Sequence, residues 1–172
     1  VGTVSGTSIS FGTAVVFEAA QTTFISPTFD SNSNKVVITY TDVTDSSKGT
    51  AIVGTVSGTA ISFGTAVVFN SGATESGSCT FDSSSNKVVI AYRDEGNSNY
   101  GTAIVGTVSG TSISYGSEVV FESASTYYTS STFDSSNNKI VIAYQDAGNS
   151  SHGTAIVGTV SGTTISFGTA VV

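Results

Sequence analysis

Methionine and tryptophan are absent from this 172-residue chain, and proline, cysteine and histidine occur once each. Charge is scarce too, since only 10% of residues are Asp, Glu, Lys or Arg. Each shortage excludes something. A single Cys can build neither a disulfide scaffold nor a thiolate zinc site. The shortage of Ala, Leu, Glu, Lys and Arg excludes a helix bundle or coiled coil. A net charge of −7 and a pI near 4.2 leave no basic patch to release counterions, so nucleic acid is not an expected partner. No apolar run approaches the ~18 residues of a membrane-spanning helix, and no membrane insertion is expected. With neither an initiator Met nor a signal peptide, the sequence reads as a mature, processed or excerpted chain.

What is present is strand chemistry. Ser and Thr make up about a third of the residues, yet the hydrophobic share is 38% and the mean hydropathy is +0.22. The apolar residues are mostly Val, Ile, Phe and Tyr, which favour strands and which disordered tails lack. Low charge with abundant Thr, Ser and Gly fits a protein of the extracellular space, a cell surface or a virion surface.

Self-comparison gives the strongest signal. The string Val-Gly-Thr-Val-Ser-Gly-Thr begins at Val1, Val53, Val105 and Val157, always 52 residues apart. Phe29-Asp30, Phe81-Asp82 and Phe133-Asp134 keep that step, as do Asn34-Lys35, Asn86-Lys87 and Asn138-Lys139. The chain divides into repeats 1–52, 53–104 and 105–156 and a partial repeat 157–172, all one continuous β array.

Each period predicts four strands. Strand A is short and ends at Phe-Asp, as in 131–134. A polar turn leads to strand B (87–92), a Gly/Asn/Ser loop (94–101) to strand C (102–108), and a Ser-Gly-Thr hairpin to strand D (112–121). Gly116 inside strand D suggests a bulge or bend. Strand B carries no polar alternate, so both of its faces should be covered. Face-to-face four-stranded antiparallel sheets of ~50 residues describe blades of β-propeller type, about 3.5 of them here. A β-sandwich or a solenoid is the alternative. A closed propeller takes four to eight blades, and the two ends here are the same half-blade. The array is therefore expected to be part of a larger propeller or assembly.

Thr80 to Tyr92, with its Asp, polar turn, Asn-Lys and aliphatic strand, resembles the A–B hairpin of bacterial propeller repeats of the kelch-like and YVTN kinds. The whole unit resembles tandem repeats of bacterial and phage surface proteins. It departs from kelch in lacking the Gly-Gly pair and the Trp. The resemblance implies propeller blades and no particular activity.

Differences between copies gather in the D→A segments (18–27, 70–79, 122–131) and the B→C loops (41–48, 93–100, 145–152), which a four-stranded meander brings to one edge. A constant scaffold with variable loops suits a recognition surface, and equally suits loops free to drift. Tyr100, Tyr127 and Tyr128 with Asp42, Asp94 and Asp146 are the candidate ligand residues on that edge, with glycans as the expected ligand. The aspartates could instead end strand B by capping backbone amides. Phe24 is a further aromatic of this edge. Asp30, Asp82 and Asp134 open turns with the 1,3,5 oxygen spacing of a Ca²⁺ loop, but Lys replaces the required Gly and no bidentate Glu follows, so a capped turn is the stronger reading. His152 is the only His and aligns with Lys48 and Tyr100, which argues against a Ser–His–Asp site. Cys79 reads as a free buried thiol, with an intermolecular disulfide as the alternative. Asn149 heads the one N-glycosylation sequon, relevant only in a secreted eukaryotic setting.

Catalysis needs unlike groups converging on one point, whereas near-identical repeats present like groups in a row. No catalytic residue, cofactor or resident metal is therefore expected. The functional expectation is a structural or adhesive module whose partners are further blades or copies of itself, with glycans on the loop edge. Alternatives are a filament protomer joined by strand addition and a non-catalytic fragment of a hydrolase.

Overall fold

The computed structural model describes residues 1–172 and is all-β, with two single 3-10 turns besides its strands. The strands are β1 (Gly2–Ser5), β2 (Ser8–Phe11), β3 (Thr22–Asp30), β4 (Lys35–Asp42), β5 (Lys48–Ser57), β6 (Ala60–Phe63) and β7 (Val67–Asp82). They continue as β8 (Lys87–Asp94), β9 (Tyr100–Ser109), β10 (Ser112–Tyr115), β11 (Val119–Asp134), β12 (Lys139–Asp146), β13 (His152–Ser161) and β14 (Thr164–Phe167). Strands β1 and β2 form a hairpin of their own. The other twelve form one sheet whose path runs β14-β13-β12-β11-β9-β8-β7-β5-β4-β3, with β10 on β9 and β6 on β5.

This sheet is open, and no pairing joins β3 to β14. The antiparallel meander expected from the repeats is present, but a closed ring is not. The expected four separate strands per period also need correction. Strand D is interrupted after four residues, and its second part runs on without a break into strand A of the next period. β7 pairs with β5 through Val67, Val68, Asn70 and Ala73, then with β8 from Thr74 onward. β11 does the same between β9 and β12. The segments 70–79 and 122–131, expected as loops, lie inside these shared strands, and the second half of 18–27 lies in β3. The change of partner follows register shifts in the first part of each strand, where the ladders to β5 and β9 slip between Val68 and Ala73 and between Val120 and Ser125. A further bulge lies within each ladder to the B strand. There Phe24, Ser76 and Tyr128, each 52 residues from the next, have φ of 49°, 53° and 53°.

The hairpin turns follow the sequence closely. Gly110 has φ +61°, and its copies at 6, 58 and 162 match it, a backbone region costly for any side chain with a Cβ. Strand D breaks at Gly116, where a bulge or bend was expected: Tyr115 pairs with Gly106, and pairing with β9 resumes only at Val119. A Cβ at Gly116 would overlap the Thr163 carbonyl oxygen of the following repeat, and Gly64 stands in the same relation to Thr111.

The three periods stack as layers. Residues on inner strands alternate between faces, and both faces are apolar. Val37, Ala51 and Val53 of the first layer pack against Cys79, Val88, Ile90, Tyr92, Ile104 and Ile113 of the second. Val89, Ala91, Ala103 and Val105 on the second layer's other face pack against Ile140, Ile142, Tyr144, Ile156 and Ile165 of the third. Burial of each Val or Ile contributes about 1.5–3 kcal/mol, so these two joints dominate the stability. Polar cross-links sit at the A strands. The Cys79 amide donates to Ser26 Oγ at 3.1 Å and the Ser131 amide to Ser78 Oγ at 3.0 Å.

Candidate functional site

The expected ligand residues do fall on one edge. Asp42, Asp94 and Asp146 end β4, β8 and β12. Each lies opposite a threonine of the A strand (Thr22, Thr74, Thr126) and the first residue of the C strand (Lys48, Tyr100, His152). The bulge residues Phe24, Ser76 and Tyr128 lie two positions along the same A strands. The edge therefore collects the B-strand ends, the B→C turns and the bulges.

The aspartates are largely engaged within the protein. Asp42 Oδ1 accepts from the Thr44 amide at 3.0 Å and the Thr44 hydroxyl at 2.8 Å. Asp146 Oδ1 accepts from the amides of Gly148 and Asn149 at 2.8 and 3.2 Å. Asp94 is buried, and its Oδ1 has no partner. At the opposite edge Asp30, Asp82 and Asp134 cap the A–B turns. Asp30 Oδ1 accepts from the amides of Asn32 and Ser33 at 2.9 and 3.0 Å. Burial would raise the Asp82 carboxyl, but the bonds from Ser84 and Ser85 outweigh it and hold the group below its usual range. Asp134 is lowered chiefly by the Asn137 side-chain amide. These carboxylates spend their acceptors on their own turns, as capping residues do.

The aromatic residues differ in exposure. Tyr128 is 79% exposed, whereas Tyr100 and Tyr127 are half-buried. The Tyr127 ring receives the Arg93 guanidinium, with Cζ 4.7 Å from the centroid, and its own centroid is 6.4 Å from that of Tyr128. Arg93 is held by Asn99 Oδ1 at 2.8 Å and by Glu75 Oε2 at 2.6 Å. Arg93 belongs to the second layer and Tyr127 to the third, so this step is built across a joint. The exposed Phe24 holds the bulge position of the first layer.

No protein-family model, curated protein or solved structure matches the chain.

The remaining singled-out residues sit apart from any shared site. His152 is exposed at the start of β13, directly opposite Asp146. Cys79 is buried in the first joint, and its Sγ lies 3.0 Å from the Ser26 carbonyl oxygen. Burial pushes its thiol up. Asn149 is half-buried in a 3-10 turn, with its amide bound to Asp146.

One constellation was missed from sequence. The hydroxyls of Tyr40, Tyr92 and Tyr144 each donate to a carboxylate, but not at one repeat position. Tyr40 reaches Glu18 at 3.3 Å and Tyr144 reaches Glu122 at 3.0 Å. In the middle repeat Asn70 takes the glutamate's place, and Tyr92 instead reaches Glu118 at 2.8 Å. Positions 14, 66 and 170, equivalent to 118, are all Ala. The signal was a paired irregularity, with Glu lost at 70 and gained at 118.

Proposed function

We propose that the chain is a non-catalytic structural and adhesive repeat module of an extracellular, cell-surface or virion-surface assembly. Its turn edge takes glycans. The observation that carries this reading is Tyr128. It is 79% exposed and sits beside Tyr127, whose ring receives the Arg93 guanidinium. Its backbone adopts φ 53°, a strained region for a bulky residue. A strained backbone that turns an aromatic ring toward water suits stacking on the apolar face of a sugar ring. Asp42, Asp94 and Asp146 follow the same edge at one per layer, and Tyr100 stands opposite Asp94. A row of like, weak sites gains strength through multivalency.

The test is a glycan array followed by titration of retained sugars into the chain and its Tyr128→Ser variant, which installs the residue of position 76. We expect sugar binding that weakens at least about tenfold in the variant at unchanged circular dichroism. Retention of no sugar, or equal binding by the variant, would overturn the reading.

A further inference from the structure

The two outer layers each present one half of the joint that the interior builds twice. On the first layer, Phe29 is 54% exposed, and Val36 and Ile38 are half-buried. The equivalents of Val36 and Ile38, at 88, 90, 140 and 142, are fully buried beneath the preceding layer, and those of Phe29, namely Phe81 and Phe133, are half-buried there. On the third layer, Val157 is 46% exposed and Ala143 is exposed. Their equivalents Val53, Val105 and Ala91 are fully buried beneath the following layer. The surface that covers each kind of face is therefore already known. It is the other kind of face.

One segment stands in the way. Residues 157–172 repeat residues 1–16 with a single change, Thr164 for Ser8, so both segments claim the same place in a continued stack. They are not equally held. β14 belongs to the main sheet, and Ile165 is buried in the second joint. The β1–β2 hairpin is a separate sheet with every residue exposed. The hairpin is the segment that yields.

We propose that a second copy of this chain docks head to tail on the third layer, with residues 157–172 of one copy replacing residues 1–16 of the next. Val141, Ala143, Ala155 and Val157 then cover Phe29, Val36 and Ile38 of the partner. The edge of β13 gains the partner's residues 17–21, as β5 gains the first part of β7. Pro27 stands where Cys79 and Ser131 supply an amide to the preceding layer. The joint between copies thus makes one hydrogen bond fewer than those inside a copy. The contact is heterologous, so it propagates instead of closing at a dimer. This inference concerns the stack ends and stands apart from sugar binding at the turn edge.

Sedimentation velocity on the full chain over a concentration series is the test, with Phe29→Lys blocking one face and Val157→Lys the other. Both sites are solvent-exposed in the single chain, so both variants should keep its circular dichroism. The expected result is an open ladder of oligomers for the unaltered chain, a monomer for each variant alone, and a dimer for their equimolar mixture. Amides of residues 2–11 should exchange faster with solvent in the oligomer than in the monomer. A chain that stays monomeric at millimolar concentration, a variant that dimerises alone, or a mixture that stays monomeric would overturn the proposal.

Discussion

The tyrosine hydroxyls at 40, 92 and 144 are the residues on which the layers' polar accounting turns. Tyr92 is fully buried, so its hydroxyl needs a partner, and Glu118 supplies it. Glu118→Ala should lower stability by about 1–3 kcal/mol, the cost of a buried polar group left short of its bond. Adding Asn70→Glu restores the arrangement of the other two repeats and should recover most of that loss. Urea midpoints of the wild type, both single variants and the double variant measure the coupling. Equal losses in the single and double variants would refute the exchange of roles. At this scale the turn aspartates were legible in the sequence, because capping is local and depends on spacing alone. The Tyr–Glu pairs were not, because which carboxylate reaches a hydroxyl depends on how the strands and layers meet.

Strands β3, β7 and β11 each carry a residue in the left-handed region at a bulge in their ladder to the B strand. At Tyr128 a Cβ is strained by about 1–2 kcal/mol, a cost glycine avoids. Tyr128→Gly should therefore be more stable than Tyr128→Ala by about 1 kcal/mol, the reverse of the usual order in a strand. Thermal unfolding of the two variants decides the sign, and a more stable Ala variant would show that the bulge carries no strain. The repeat, the hairpins and the B and C strands could all be read from turn residues and unbroken apolar runs. The fusion of D with A could not. The variability of these segments resembled that of a loop. The bulges were illegible too, since Phe, Ser and Tyr carry no sequence signature of positive φ.

Across the whole molecule the three Tyr–carboxylate pairs act in concert. Burial first, and then the adjacent glutamate, raises Tyr40, Tyr92 and Tyr144 far above the ordinary tyrosine value, and burial raises Tyr115 too. A folded value above the unfolded one gives stability that is complete below about pH 10 and declines as pH rises past it. Urea midpoints should hold steady from pH 7 to 9 and fall above about pH 10, with Tyr92→Phe reducing the slope; a flat profile would contradict this. The stacking of layers was legible in the two apolar faces of strand B. Closure was not, since it depends on the angle between layers, which no residue spacing encodes. The shared strands also determine how the chain would bear mechanical load. β7 and β11 cross from one layer to the next as continuous hydrogen-bonded backbone, so tension between distant points of the chain passes from layer to layer without a slack loop to absorb it.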